Sequence, residues 1–118
     1  MDCRVGETIA KPWGSELIWA HTERYVGKVL RIHAGKRLSL QRHDFKDESI
    51  LVQSGTLRLH LGETAADVTT RELGPGEYVR VPTGWVHRFE AGADDVTLVE
   101  VSTCELDDVV RLSDDYGR

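Results

Sequence analysis

GKRLSLQRHDFKDESILVQSG, residues Gly35 to Gly55, decides the fold. Side chains on a strand alternate between faces, so Arg37, Ser39, Gln41 and His43 share one face of a first strand, with Leu38, Leu40 and Arg42 on the other. Asp44 to Asp47 is a polar turn, and Glu48, Ile50 and Val52 share a face of the returning strand. A face that carries a cation, a hydroxyl, an amide and an imidazole predicts a lined cavity, because buried polar groups need partners.

Downstream, GEYVRVPTGWVHRFE, Gly76 to Glu90, reads as a second strand, turn and strand, with His87 and Phe89 on one face of the return. Between the two units, Thr56 to Leu61 alternates Leu57, Leu59 and Leu61 against Arg58 and His60, which places His60 in solvent. Upstream, Arg24 to Ala34 alternates with Val26, Lys28, Leu30 and Ile32 on the apolar face. Lys28 there either packs its stem and sends its ammonium to water at a barrel mouth, or points inward. Val96 to Ser102 is the last clear strand, and ELDDVVRLSDDYGR, Glu105 to Arg118, reads as a short helical turn or an edge strand. About nine short strands with frequent turns and no convincing helix predict an all-β sandwich or barrel.

The chain has 118 residues, the size of one domain. We divide it into an N-terminal strand or arm over 1–23, a barrel over 24–104 and a tail over 105–118 that packs on the barrel. Its net charge is −5, with no basic cluster, which argues against a nucleic-acid partner. No apolar run is long enough to span a bilayer and the N-terminus has no signal-like apolar stretch, so the expectation is a cytoplasmic protein without a membrane partner. Cys3 and Cys104 read as free thiols.

His43 and His87 offer neutral nitrogen, Glu48 a carboxylate and Gln41 an amide oxygen. This mixed set suits one divalent ion of the zinc, manganese, iron, cobalt or nickel kind. With one negative ligand the centre keeps a charge of about +1, which leaves a usable Lewis acid. No second inward acid beside Glu48 emerges from the alternation.

The two units resemble the two motifs of the cupin superfamily, the first in Gly35, Gln41, His43, Glu48 and Gly55, the second in Gly76, Pro82, Gly84 and His87. Gln41 stands where a histidine is usual, and Ala91 where an asparagine often follows the second motif. KPWG at Lys11 to Gly14, GKRLSLQRH at Gly35 to His43, PTGWVHR at Pro82 to Arg88 and VVRLSDDYGR at Val109 to Arg118 narrow the likeness. They resemble the C-terminal cupin domain of bifunctional mannose-6-phosphate isomerase/GDP-mannose pyrophosphorylase proteins, here standing alone.

The resemblance implies a jelly-roll barrel and interconversion of mannose 6-phosphate and fructose 6-phosphate through an enediolate. Lys28, Arg37 and Arg111 would then be the catalytic candidates, with Lys28, Arg37 and Ser39 gripping the phosphosugar. Two other functions are open at this point: a sugar-phosphate or nucleotide-sugar binding cupin without turnover, and a small dioxygenase. Single cupin domains commonly pair, so a homodimer is expected, joined through an exposed edge strand.

Overall fold

In a computed structural model that describes Met1 and residues 3–118, alternation of apolar and polar side chains sorts the chain into two antiparallel sheets. The strands are β1 (Glu7–Lys11), β2 (Gly14–His21), β3 (Val26–Ile32), β4 (Leu40–Arg42), β5 (Glu48–Ser54), β6 (Leu57–Gly62), β7 (Thr69–Leu73), β8 (Tyr78–Val81), β9 (Val86–Ala91), β10 (Val96–Ser102) and β11 (Val110–Ser113). One short 3-10 turn, Ala65–Asp67, joins β6 to β7.

One sheet runs β1-β2-β3-β10-β5-β8 and the other β11-β4-β9-β6-β7. Strands distant in sequence therefore become neighbours, as in β3 beside β10, and the two sheets close into the jelly-roll barrel expected of a cupin. The inward positions Leu30, Ile32, Ile50, Val52, Leu57, Leu59, Phe89 and Leu98 fill one end with a continuous apolar core. Trp13, at the turn between β1 and β2, is buried in the same cluster.

Two local expectations change. The strand expected over Arg37 to His43 is regular only at Leu40–Arg42, and Arg37 makes an isolated bridge to Glu90. The tail forms an edge strand, β11, paired with β4 at Val110↔Arg42 and Arg111↔Gln41. No helix of the described residues is long and apolar enough to cross a membrane.

Gly35 and Gly55, which bracket the first motif, both have positive φ, +75° and +79°. A methyl group at Gly35 meets nothing, whereas one at Gly55 runs into the backbone of Asp95 and Val96. We expect Gly35→Ala to cost about 1–2 kcal/mol from the left-handed conformation alone, and Gly55→Ala distinctly more. Urea midpoints of the two variants check this; equal midpoints would remove the close approach as the reason for Gly55.

Candidate metal centre and its cavity

The barrel brings together three donors from three segments: His43 just after β4, Glu48 at the start of β5 and His87 in β9. All three are buried, and their ligand atoms lie within 4.8 Å of one another. Glu48 Oε1 is 3.4 Å from His43 Nε2 and 3.1 Å from His87 Nε2. None of these three atoms has a hydrogen-bond partner.

The other ring nitrogens explain why. His43 Nδ1–H donates to the Asp108 carbonyl at 2.6 Å and His87 Nδ1–H to the Trp85 carbonyl at 3.1 Å. A carbonyl only accepts, so each Nδ1 carries the proton and each Nε2 presents a lone pair. Two lone pairs and a carboxylate oxygen facing one another without a hydrogen are mutually repulsive, and a divalent cation among them removes that repulsion. The donor set therefore fits a metal ion. Burial works to raise the Glu48 carboxyl, and the ammonium of Lys46 beside Oε2 pulls it the other way.

Gln41, the fourth expected donor, is the cross-strand partner of His87 and so shares its face. Its Oε1 accepts a hydrogen bond from Ser39 Oγ at 3.0 Å. Both residues line a cavity of about 480 Å³, which opens between the β1–β2–β3 edge of one sheet and the β4–β11 edge of the other. Lys28 and Arg111 stand on its wall as well. Lys28 is buried rather than at a solvated mouth, and its Nζ donates to Glu16 Oε1 at 2.7 Å.

Arg37 is elsewhere, and its expected place in the pocket is corrected. Its Nε and Nη2 donate to the two Asp115 oxygens at 2.6 and 3.0 Å, and its carbonyl accepts from the Tyr116 hydroxyl at 2.9 Å. The chain is not regular strand between Arg37 and Ser39, so alternation from Gln41 does not carry back to Arg37. The tail carboxylate captures the guanidinium instead. His60 is also not simply solvated: Glu90 lies 2.7 Å from its Nε2 and the Thr70 hydroxyl 3.1 Å from its Nδ1.

Three residues of the site escaped the sequence reading. Lys46 is buried, with Nζ 3.1 Å from Glu48 Oε2 and 3.4 Å from Glu100 Oε2. Glu100 is the missing second inward acid; it stands opposite Lys28 on β3, between the buried Leu98 and Ser102. Burial, reinforced by the negative charge of Glu48, pushes its carboxyl up to about 7, against the pull of Lys46 and Lys28. Burial alone would depress the Lys46 ammonium, but Glu100 and Glu48 outweigh it and raise it. Alternation along β10 places Glu100 inward, whereas Lys46 precedes β5 in an irregular turn that alternation does not reach. The third is Asp108, whose carboxylate accepts from the amides of Asp44, Phe45 and Lys46 at 3.0, 2.7 and 2.8 Å. No sequence signal links it to a loop more than sixty residues away.

A jelly roll with two histidines and a glutamate converging from its two motifs is a cupin. The chain matches the family model described as mannose-6-phosphate isomerase C-terminal over residues 2–114, and it belongs to that family. It is 34% identical over 119 residues to the mannose-1-phosphate guanylyltransferase of Escherichia coli K12, covering 98% of this chain and 24% of that protein. It is 32% identical over 114 residues to the alginate biosynthesis protein AlgA of Pseudomonas aeruginosa, covering 93% and 23%. The chain thus spans about a quarter of the length of these relatives. Among solved structures, the capsular polysaccharide assembling protein CapF of Staphylococcus aureus superposes with a TM-score of 0.79 at 20% identity, covering 92% of this chain and 34% of that one. The Bacillus subtilis oxalate decarboxylase OxdC gives 0.77 at 19%, covering 90% and 30%. These two likenesses show the fold.

The relatives also correct the expected activity. Proteins that carry this segment as their C-terminal cupin are named for guanylyl transfer to mannose 1-phosphate, which overturns mannose-6-phosphate isomerisation as the reading of this chain.

Asp108→Ala removes the acceptor of three amides and loosens the segment whose carbonyl orients His43. We expect about 1–2 kcal/mol lower stability and roughly 10–100-fold weaker metal binding. Chemical denaturation and metal titration of the same sample check both; unchanged metal affinity would separate the Asp108 clamp from the centre.

Proposed function

We propose that the chain is a metal-holding cupin domain that binds a phosphorylated sugar or nucleotide sugar in the cavity beside the centre. One observation carries the reading. Five cations line the cavity of a chain of net charge −5: Lys11 and Lys28 pair with Glu16, Lys46 with Glu48 and Glu100, and Arg118 with Asp114, while Arg111 has no carboxylate partner among the described residues and is open to an anion. Ammonium and guanidinium groups around a partly enclosed space suit a phosphate, and Gln41 and Ser39 add neutral polar groups to the lining. The relatives' named substrate, a mannose phosphate, is of this chemistry.

Bound at His43, Glu48 and His87, a divalent ion supplies a Lewis-acidic point for a ligand oxygen. Lys28, already fixed by Glu16, and Arg111, on the face shared with Gln41, hold the anionic end. The Bacillus subtilis oxalate decarboxylase is described with Mn(II) centres, which makes manganese the first ion to test. Dialysis against Mn(II) or Zn(II) should leave one ion per chain, and His87→Ala should weaken binding by at least about 100-fold. Calorimetry with mannose 1-phosphate on the loaded protein should then show binding that Arg111→Ala weakens at least tenfold, about 1.4 kcal/mol. Retention of stoichiometric metal by His87→Ala would remove the centre from the proposal.

We also propose that two copies pair through the outer face of the six-stranded sheet. Leu17, Val29, Val99, Leu51 and Tyr78 are consecutive cross-strand partners and form one apolar row across five strands. Trp19 and Val101 extend it, and the charged side chains at the outward positions of these strands are Arg31 and Arg80, with no acid. Five strands at about 4.8 Å spacing make this row about 20 Å wide, the scale of a small dimer interface, and depletion of charge marks an interface centre. Light scattering at micromolar concentration should give twice the chain mass for the wild type and the single mass for Leu51→Lys; a wild-type monomer overturns the pairing.

A further inference from the structure

We infer that Lys46 decides how Glu48 meets the metal: by holding Oε2, it keeps Glu48 a one-oxygen ligand and reserves a coordination position for an oxygen of the bound molecule. This rests on the metal-holding reading above. The two Glu48 oxygens have different surroundings. Oε1 faces the imidazoles of His43 and His87, at 3.4 and 3.1 Å. Oε2 lies 3.1 Å from Lys46 Nζ. A carboxylate on a divalent ion can bind through one oxygen or two, and the change needs only a small rotation. An ammonium on the second oxygen opposes that rotation.

Lys46 is not a surface side chain that happens to reach inward. It is 4% exposed, and its Nζ is shared with Glu100 Oε2 at 3.4 Å. Withdrawing it would strip the ammonium from buried Glu48 Oε2 and leave Glu100 with Lys28 as its one neighbouring cation. Its backbone is held at both ends of the peptide unit: the amide donates to Asp108 Oδ2 at 2.8 Å and the carbonyl accepts from Thr83 Oγ1 at 3.2 Å. Glu100 is itself fixed in the β10 ladder, opposite Lys28 and Ile50. The ammonium is therefore a built part of the site. It also lines the cavity, so the side chain that restrains the carboxylate borders the space into which a ligand enters.

His43, His87, Glu48 through Oε1 and the amide of Gln41 give four protein donors at most. An ion that takes about six donors then keeps about two positions for water or ligand. A two-oxygen Glu48 would take one of them. Lys46 acts through Glu48 and is a positioning residue.

The test uses the whole chain loaded with Mn(II), with metal content measured after dialysis and inner-sphere water counted from field-dependent water-proton relaxation. Wild type and Lys46→Arg should show the same water count. Lys46→Met should bind Mn(II) stoichiometrically and lose about half of the inner-sphere relaxation, the equivalent of one of about two waters. Full metal content with unchanged relaxation in Lys46→Met overturns the inference, as does a wild-type centre with no inner-sphere water. Should Lys46→Met fail to fold, the double variant Lys46→Met/Glu100→Gln leaves one carboxylate instead of two and carries the same expectation. Failure of the wild type to hold Mn(II) or Zn(II) overturns the metal-holding reading itself, and metal content alone reveals that outcome.

Discussion

Three buried atoms that bear lone pairs and no hydrogen are held face to face inside a closed barrel. Left alone they repel, so their convergence has to be enforced by the rest of the chain. Glu48 comes from the six-stranded sheet and His87 from the five-stranded one, and only the closure of the two sheets on each other brings them within 3.1 Å. Backbone carbonyls of Asp108 and Trp85 then set which nitrogen of each ring faces inward. The apolar end of the barrel supplies the rigidity, and the polar end holds the cost of the arrangement.

That polar end is ordered by charge. From the cavity wall to the centre the ionisable groups run from half-buried Glu16 through buried Lys28, Glu100, Lys46 and Glu48, with ion pairs at Glu16–Lys28, Glu100–Lys46 and Lys46–Glu48 and with Lys28 and Glu100 as cross-strand partners. Each cation has an acid on either side, which is how so many ionisable groups can leave water together. The chain of charges also joins two chemically different regions. Its outer members border the cavity, and its inner member belongs to the His43, Glu48 and His87 cluster.

Much of this was legible in the sequence because period-two alternation is a local rule. It placed Gln41, His43 and Glu48 on inward faces and His87 on a facing strand, and it set Lys28 among buried side chains. The rule failed where the chain leaves the strand geometry. Arg37 lies before the regular part of β4, so its face does not follow from Gln41, and Asp115 takes its side chain away. Lys46 lies within a turn that looks solvated from composition alone. Glu100 obeys the rule and was legible, but a charged residue in a valine-rich strand reads as an outward one unless each position is counted. Asp108 is a different matter, since its partners are 62 to 64 residues away and nothing local encodes that distance.

The distance between Asp108 and the turn it clamps has a consequence for how the protein is made. His43, Glu48 and His87 leave the ribosome well before Asp108, and until then His43 lacks the carbonyl that orients its ring. The strand that carries Glu100 must also wait to insert between β3 and β5, which emerged long before it. Pairings of such long range form late. During synthesis the histidines and carboxylates are thus not yet held together on the open chain. The arrangement of the three donors is therefore a property of the finished barrel, complete only once the tail has closed over it.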